Sequence, residues 1–123
     1  MDIYQELIMD HARHPRNAGR MVRATLKTKA MNPFCGDEAD IFLKIEKEKI
    51  HDIKFEIEGC ILSKAALSIF SEDVKGKSIK RVITFKDSDM FKLIGFTPSL
   101  SRLKCALFGF EAVKDLARNH KIK

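Results

Sequence analysis

Three cysteines and one aspartate carry the chemistry open to this 123-residue chain. Cys35, Cys60 and Cys105 are odd in number, so a closed set of intramolecular disulfides cannot use them all. Cys35 and Asp37 stand two apart in Asn32-Pro33-Phe34-Cys35-Gly36-Asp37, and the glycine between them lets a loop turn both side chains toward one point. Cys60 closes Glu58-Gly59-Cys60 at a change of hydrophobic period, and Cys105 follows Arg102-Leu103-Lys104 near the expected start of the last helix. A thiol at a helix N-terminus meets unpaired N–H groups and the positive end of the helix dipole. Both favour the thiolate that metal binding and nucleophilic attack require, and the pattern gives Cys60 and Cys105 that prospect.

Three thiolates and a carboxylate together make a four-ligand set suited to tetrahedral zinc or to an iron–sulfur cluster. By formal count a divalent ion leaves roughly two of their four negative charges uncompensated, and Lys29, Lys64, Arg102 and Lys104 are the cations close in sequence that can offset them. The competing reading is plainer. Spacings of 25 and 45 residues form no local metal motif, and lone cysteines often serve as small buried hydrophobes. His11 and His14, three apart, offer a second pair of ligands, but a solvated helix end, where cations suit the helix dipole, is the stronger expectation. His51 and His120 read as surface residues.

The elements that must position these groups follow from periodicity. Asp2 with Gln5 reads as a helix start, and Ile3, Tyr4, Leu7, Ile8 and His11 recur at helical spacing, which predicts a helix over 2–14 ended by Pro15. Val22, Ala24 and Leu26 alternate with Arg23, Thr25 and Lys27, predicting a strand. Alternation over 39–46 and 53–58, separated by Lys47-Glu48-Lys49, predicts an antiparallel hairpin. After Gly59 the period lengthens to a helix closed by Gly76, then short helices over 78–85 and 88–93, a break over 95–98, and a terminal helix striped by Leu103, Ala106, Leu107, Phe110, Val113 and Ala117. Strands followed by helices, without alternation, predict an α+β fold with helices packed on one face of a small antiparallel sheet, an N-terminal helix and a helical C-terminal half.

Hydrophobic residues at 45% and charged residues at 33% exclude a disordered chain, and 123 residues favour a single domain over 1–123. No apolar run reaches bilayer-spanning length, and Asp2, Glu6 and Asp10 interrupt any leader-like start, so no membrane role and a reducing cytoplasm are expected. A net charge of +6, with Lys75, Lys77, Lys80 and Arg81 forming a local positive patch, permits an acidic partner or nucleic acid. Nucleic acid is the weaker expectation, because the strands carry only Phe42 and Phe55 as aromatics to stack on bases.

Taken together, the cysteine segments bring a family into view. The chain resembles the U-type iron–sulfur assembly scaffolds, the family of IscU, SufU and the NifU N-terminal domain. The matching segments run in the family's order: Tyr4 through Asp10-His11, Pro15-Arg16-Asn17, Cys35-Gly36-Asp37, Gly59-Cys60, Val74-Lys75-Gly76-Lys77 and Lys104-Cys105. The resemblance implies a three-stranded antiparallel sheet with helices, and Cys35, Asp37, Cys60 and Cys105 as the ligand set. It also implies a pyridoxal-phosphate cysteine desulfurase as sulfur donor, and a transient [2Fe–2S] cluster built for or relayed to acceptor apoproteins. An oxygen ligand among thiolates suits a cluster that must be released, because it matches soft iron–sulfide chemistry less well than a fourth thiolate.

Within the family, Asn32-Pro33, Glu58 before Gly59-Cys60, and Arg102-Leu103-Lys104-Cys105 look like SufU, whose members bind Zn2+ and accept sulfur. SufU's insertion between the second and third cysteines is absent. The IscU branch instead has histidine directly before the last cysteine, where this chain has Lys104. The Leu-Pro-Pro-Val-Lys motif of IscU is also missing, the corresponding stretch being Phe96-Thr97-Pro98-Ser99-Leu100, so docking of an Hsp70-type chaperone is not expected. Two functions stay open, a non-enzymatic cluster scaffold and a zinc-dependent sulfurtransferase partner, with a small structural-zinc nucleic-acid binder behind both. In the sulfurtransferase reading Cys35, on a glycine-containing loop that can swing, is the persulfide acceptor, and Cys105 is the alternative.

Overall fold

The computed structural model describes residues 3–33 and 36–120. Its elements run α1 (Ile3–Arg13), β1 (Leu26–Asn32), β2 (Asp37–Glu46), β3 (Lys49–Glu58), α2 (Ile61–Val74), α3 (Ile79–Thr84), α4 (Asp87–Ile94) and α5 (Leu100–Arg118). The three strands form one antiparallel sheet in the order β1-β2-β3, as the α+β reading and the resemblance both implied.

The first strand lies later than the alternation at 22–27 predicts. Val22 is fully exposed, and pairing runs from Leu26↔Leu43 to Asn32↔Asp37. Both stretches alternate, so pattern alone cannot separate them. The hairpin decides: Gly36 donates its N–H to the Asn32 carbonyl at 2.8 Å, which fixes where β1 must end for β2 to begin at Asp37. The expected hairpin of β2 and β3 is present and longer than predicted, closed by Lys47 and Glu48 alone. Both have positive φ, 52° and 61°, as a two-residue turn matching the sheet's twist requires. Their strain is opposed by docking: the Glu48 carbonyl accepts the Ile79 N–H at 2.9 Å, and Ile50 pairs with Gly76 and Lys77.

Ala39, Ile41 and Leu43 of β2 and Ile53 and Phe55 of β3 are buried, and the helices cover that face. On the opposite face Arg20 lies over the Phe42 ring at 4.8 Å while its guanidinium bonds Glu56 at 2.8 Å and Asp40 at 3.4 Å. Helix α2 is the central element. Nearly every residue from Leu62 to Phe70 is buried, because α1, α4, α5 and the sheet all pack on it. It ends at Val74, followed by Lys75 as cap and then Gly76 at φ 87°, as the sequence predicts. Phe70, Phe85 and Phe110 meet edge to face with centroids 5.2–5.5 Å apart, tying α2, the end of α3 and α5 into one core. Gly109 lets α5 cross α2 closely, since a Cβ there would sit 2.8 Å from the Leu67 side chain.

Candidate metal centre

Asp37, Cys60 and Cys105 converge at the end of the sheet where β2 begins and β3 hands over to α2. One donor atom from each lies within 4.8 Å of the others. Tetrahedral zinc, with bonds of about 2.0–2.3 Å, separates its ligand atoms by roughly 3.3–3.8 Å, so a small contraction closes this set around an ion. Cys35, the remaining predicted ligand, lies outside the described residues.

Each group is held by a local device. Asp37 opens β2 opposite Asn32 and is almost completely buried. Its Oδ1 accepts the Cys60 N–H at 3.1 Å, and its Oδ2 accepts the Ser63 hydroxyl at 2.7 Å. The carboxylate therefore sits at the N-terminus of α2, where orphan N–H groups and the helix dipole both favour an anion. Gly59 makes room for it, because a Cβ at that position would lie 2.2 Å from Asp37 Oδ1.

Cys60 is the N-cap of α2, with its sulfur accepting the Ser63 N–H at 3.4 Å and lying 3.2 Å from the Ser63 hydroxyl. Burial pushes the Cys60 thiol up, and the Asp37 charge adds to that. Hydrogen bonding from Ser63 at the start of α2, with a contribution from Cys105, more than reverses it, so the thiol titrates below its ordinary range. The helix-start prospect read for Cys60 therefore holds.

Cys105 corrects the sequence reading. Helix α5 begins at Leu100, five residues earlier, so Cys105 sits in the second turn beyond the orphan N–H groups, and it is buried. Its register on α5, not a helix terminus, brings it to Cys60.

Among the four cations read as charge-compensating, Lys29 pairs across the sheet with Asp40, three residues beyond Asp37, and Arg102 lines a neighbouring groove. That groove, of about 930 Å³, lies between α1, the start of α2 and the Phe96–Ser99 connection, and includes Ile61 directly after Cys60. Met31, Ile61, Phe96 and Leu100 are exposed apolar side chains on the segments around this end of the molecule.

The histidines depart from expectation. His11 is not solvated: it is buried, with Nδ1 2.7 Å from the Ser68 hydroxyl and Nε2 3.6 Å from Glu72. Ser68 Oγ also accepts the Arg16 N–H at 2.8 Å. Burial, then the Arg16 charge, holds the imidazole below its ordinary range despite Glu72. Arg16 bonds Asp10 at 2.6 Å, and Asn17 donates to Ser71 at 3.0 Å while accepting the Phe55 N–H. The Asp10-His11 and Pro15-Arg16-Asn17 segments, which the family resemblance includes, thus latch α1 onto α2 and the edge of β3. His51 is exposed as predicted, whereas His120 is half-buried against Glu48 at 3.3 Å.

Sequence reasoning missed Ser63, Ser68 and Ser71, the buried polar contacts that bind the site and the latch to α2. The signal was available. Three serines interrupt the apolar run of α2, and a polar residue on a helix buried all round needs a partner.

A model of the NifU-like N terminal domain family matches residues 3–123. The zinc-dependent sulfurtransferase SufU of Bacillus subtilis is 30% identical over 91% of this chain and 87% of its own length. The iron–sulfur cluster assembly scaffold protein IscU 1 of Archaeoglobus fulgidus is 30% identical over 91% of this chain and 72% of its own. The iron–sulfur cluster assembly enzyme IscU of Drosophila melanogaster is 32% identical over 98% and 80%. In fold, the N-terminal part of a nitrogen-fixing NifU-like protein from Brucella abortus superimposes with a TM-score of 0.76 at 20% identity, covering 94% of this chain and 92% of that one. With the family model spanning every described element and relatives 30–32% identical matched over most of both chains, the chain belongs to the NifU-like N terminal domain family.

Proposed function

We propose that this protein is an iron–sulfur cluster assembly scaffold that takes sulfur from a cysteine desulfurase and assembles or relays a [2Fe–2S] cluster to apoproteins. Cys35, Asp37, Cys60 and Cys105 are the ligands in this reading, and residues 1–123 work as one domain. The observation that carries it is the convergence of Asp37, Cys60 and Cys105, from β2, the start of α2 and the second turn of α5, to within 4.8 Å. Relatives named as scaffolds, matched over most of their length, support the same reading.

The groove beside Cys60 and the exposed Met31, Ile61, Phe96 and Leu100 support a protein partner on this end, because an apolar rim next to a reactive site suits a surface that is covered during transfer. Transfer has a simple balance. The acceptor thiolate attacks the outer sulfur of the desulfurase persulfide, keeps that sulfur as its own persulfide, and releases the desulfurase thiolate. Cys35 is the proposed acceptor. Cys105, the alternative, is only 6% exposed and less open to attack. A cytoplasmic setting fits thiols used as ligands, and among the described residues no helix is long and apolar enough to cross a membrane. Nucleic acid is the weakest partner, since Phe55 is in the core and Phe42 lies beneath Arg20.

The second reading, a zinc-dependent sulfurtransferase partner, is favoured by the SufU relative and by a donor set whose span suits one small ion. Zinc held by these residues would order the loops around the acceptor thiol and stabilise its thiolate. Iron, zinc and acid-labile sulfide analysis of protein purified without oxygen, followed by anaerobic reconstitution with iron, cysteine and a desulfurase, separates the two. A coloured species lost in Cys35→Ala is expected for the scaffold. Stoichiometric zinc without that absorbance, together with zinc-dependent stimulation of desulfurase turnover, assigns the sulfurtransferase instead.

A further inference from the structure

We infer that Ser63 is a positioning residue for the ligand carboxylate of Asp37, and that the two act as one unit at the metal centre; this rests on the metal-centre reading above. Ser63 is fully buried in the first turn of α2 and belongs to no ligand set, yet it touches two of the three clustered donor residues. Its hydroxyl donates to Asp37 Oδ2 at 2.7 Å and lies 3.2 Å from Cys60 Sγ. A hydroxyl has one proton, and the shorter contact, to a carboxylate, takes it.

With Oδ1 held by the Cys60 N–H at 3.1 Å, both Asp37 oxygens are tethered to α2. Each still keeps a lone pair after accepting one bond, so the anchored carboxylate can coordinate without giving up either donor. A ligand already fixed in orientation loses less freedom when metal binds. Contacts of this outer kind typically change metal affinity 10- to 100-fold. Ser63 therefore decides whether the oxygen ligand is held in place or left to exchange with water.

The test uses the full chain as wild type, Ser63→Ala, Ser63→Thr, Asp37→Asn and the Ser63→Ala/Asp37→Asn double variant. Zinc affinity is measured by competition with a chromophoric chelator, and the cobalt(II) forms are compared by their d–d bands. Ser63→Ala should weaken zinc by about 10- to 100-fold, Ser63→Thr should restore most of that loss, and the cobalt bands of Ser63→Ala should move toward those of Asp37→Asn. In the Asp37→Asn background, removing the hydroxyl should cost less than about twofold, since neighbours acting as a unit are non-additive.

Should Ser63→Ala fail to fold, proton NMR of the wild type carries the test. A slowly exchanging Ser63 hydroxyl proton should persist in the zinc form and shift in Asp37→Asn. The inference is overturned if Ser63→Ala matches the wild type in affinity, if the loss is equal in both Asp37 backgrounds, or if the hydroxyl resonance vanishes when zinc is added. A wild type that binds neither zinc nor cobalt overturns the metal-centre reading along with it, whereas metal binding independent of Ser63 overturns this inference alone.

Discussion

The Asp37 carboxylate stands against Gly59 so closely that a methyl group on Gly59 would lie 2.2 Å from Oδ1. The first residue of β2 and the residue before Cys60 are thereby locked together. Gly59→Ala should push the carboxylate off the Cys60 N–H, lower stability by about 1–3 kcal/mol and weaken zinc binding. Thermal melts with and without zinc check this, and a variant with wild-type melting and affinity would show that the contact relaxes at no cost.

Asp37 has two roles here, and its removal should separate them. In the proposed scaffold it is the hard ligand among thiolates that would keep a bound cluster labile, so Asp37→Ala should lengthen the cluster's lifetime in air. As the acceptor of the Cys60 N–H and the Ser63 hydroxyl it also stabilises the start of α2. Metal-free Asp37→Ala should therefore lose about 1–2 kcal/mol. Absorbance decay after admitting oxygen reports the first effect and denaturant unfolding of apoprotein the second; faster decay would contradict the ligand role.

Cys60 should react as an activated thiol. Its titration below the ordinary range, set by Ser63 against the opposing effect of burial, predicts alkylation by iodoacetamide with a pH midpoint below that of free cysteine. Buried Cys105 should be modified far more slowly. Peptide mapping of metal-free protein across a pH series reads both, and equal rates at the two residues would argue against this picture.

The buried His11 couples the α1 latch to pH. Its pKa is depressed in the folded chain, so above the ordinary imidazole value of 6.5 both states are neutral and the latch is fully stable. As pH falls through that value the unfolded chain binds the proton first, and stability declines until the native imidazole also protonates. The groups facing it are Glu72 and Ser68 on α2, with Asp10 and Arg16 flanking it. Melting temperature should fall from pH 7 toward pH 5, and His11→Gln should flatten that dependence while melting lower at pH 7. An unchanged slope would place the effect elsewhere.

The β2–β3 turn carries strain that a single change relieves. Lys47 adopts φ 52°, a region asparagine and glycine enter more readily. Lys47→Asn should stabilise the protein by about 0.5–1 kcal/mol, seen as a higher denaturant midpoint with an unchanged slope. Destabilisation would mean that the Lys47 side chain contributes more than its backbone costs.

Much of this protein was legible from its residues alone. Alternation marked β2 and β3, and the 3.6-residue period marked α2 and α5, because each signal is local and repeats along the chain; the cysteines and Asp37, too far apart for a local motif, pointed to the candidate site through the family resemblance. Tertiary structure decided the rest. Which of two alternating stretches became β1 depended on the hairpin that ends at Asn32 and Asp37. Whether His11 was solvated depended on Ser68, 57 residues away. Cys105 reads as a helix-start thiol until α5 is seen to begin at Leu100, and Ser63 has no evident purpose until Asp37, 26 residues earlier, folds back onto it. Periodicity reports that a face is buried but not what lies opposite, and the hydrogen bonds that complete this site join groups far apart in sequence.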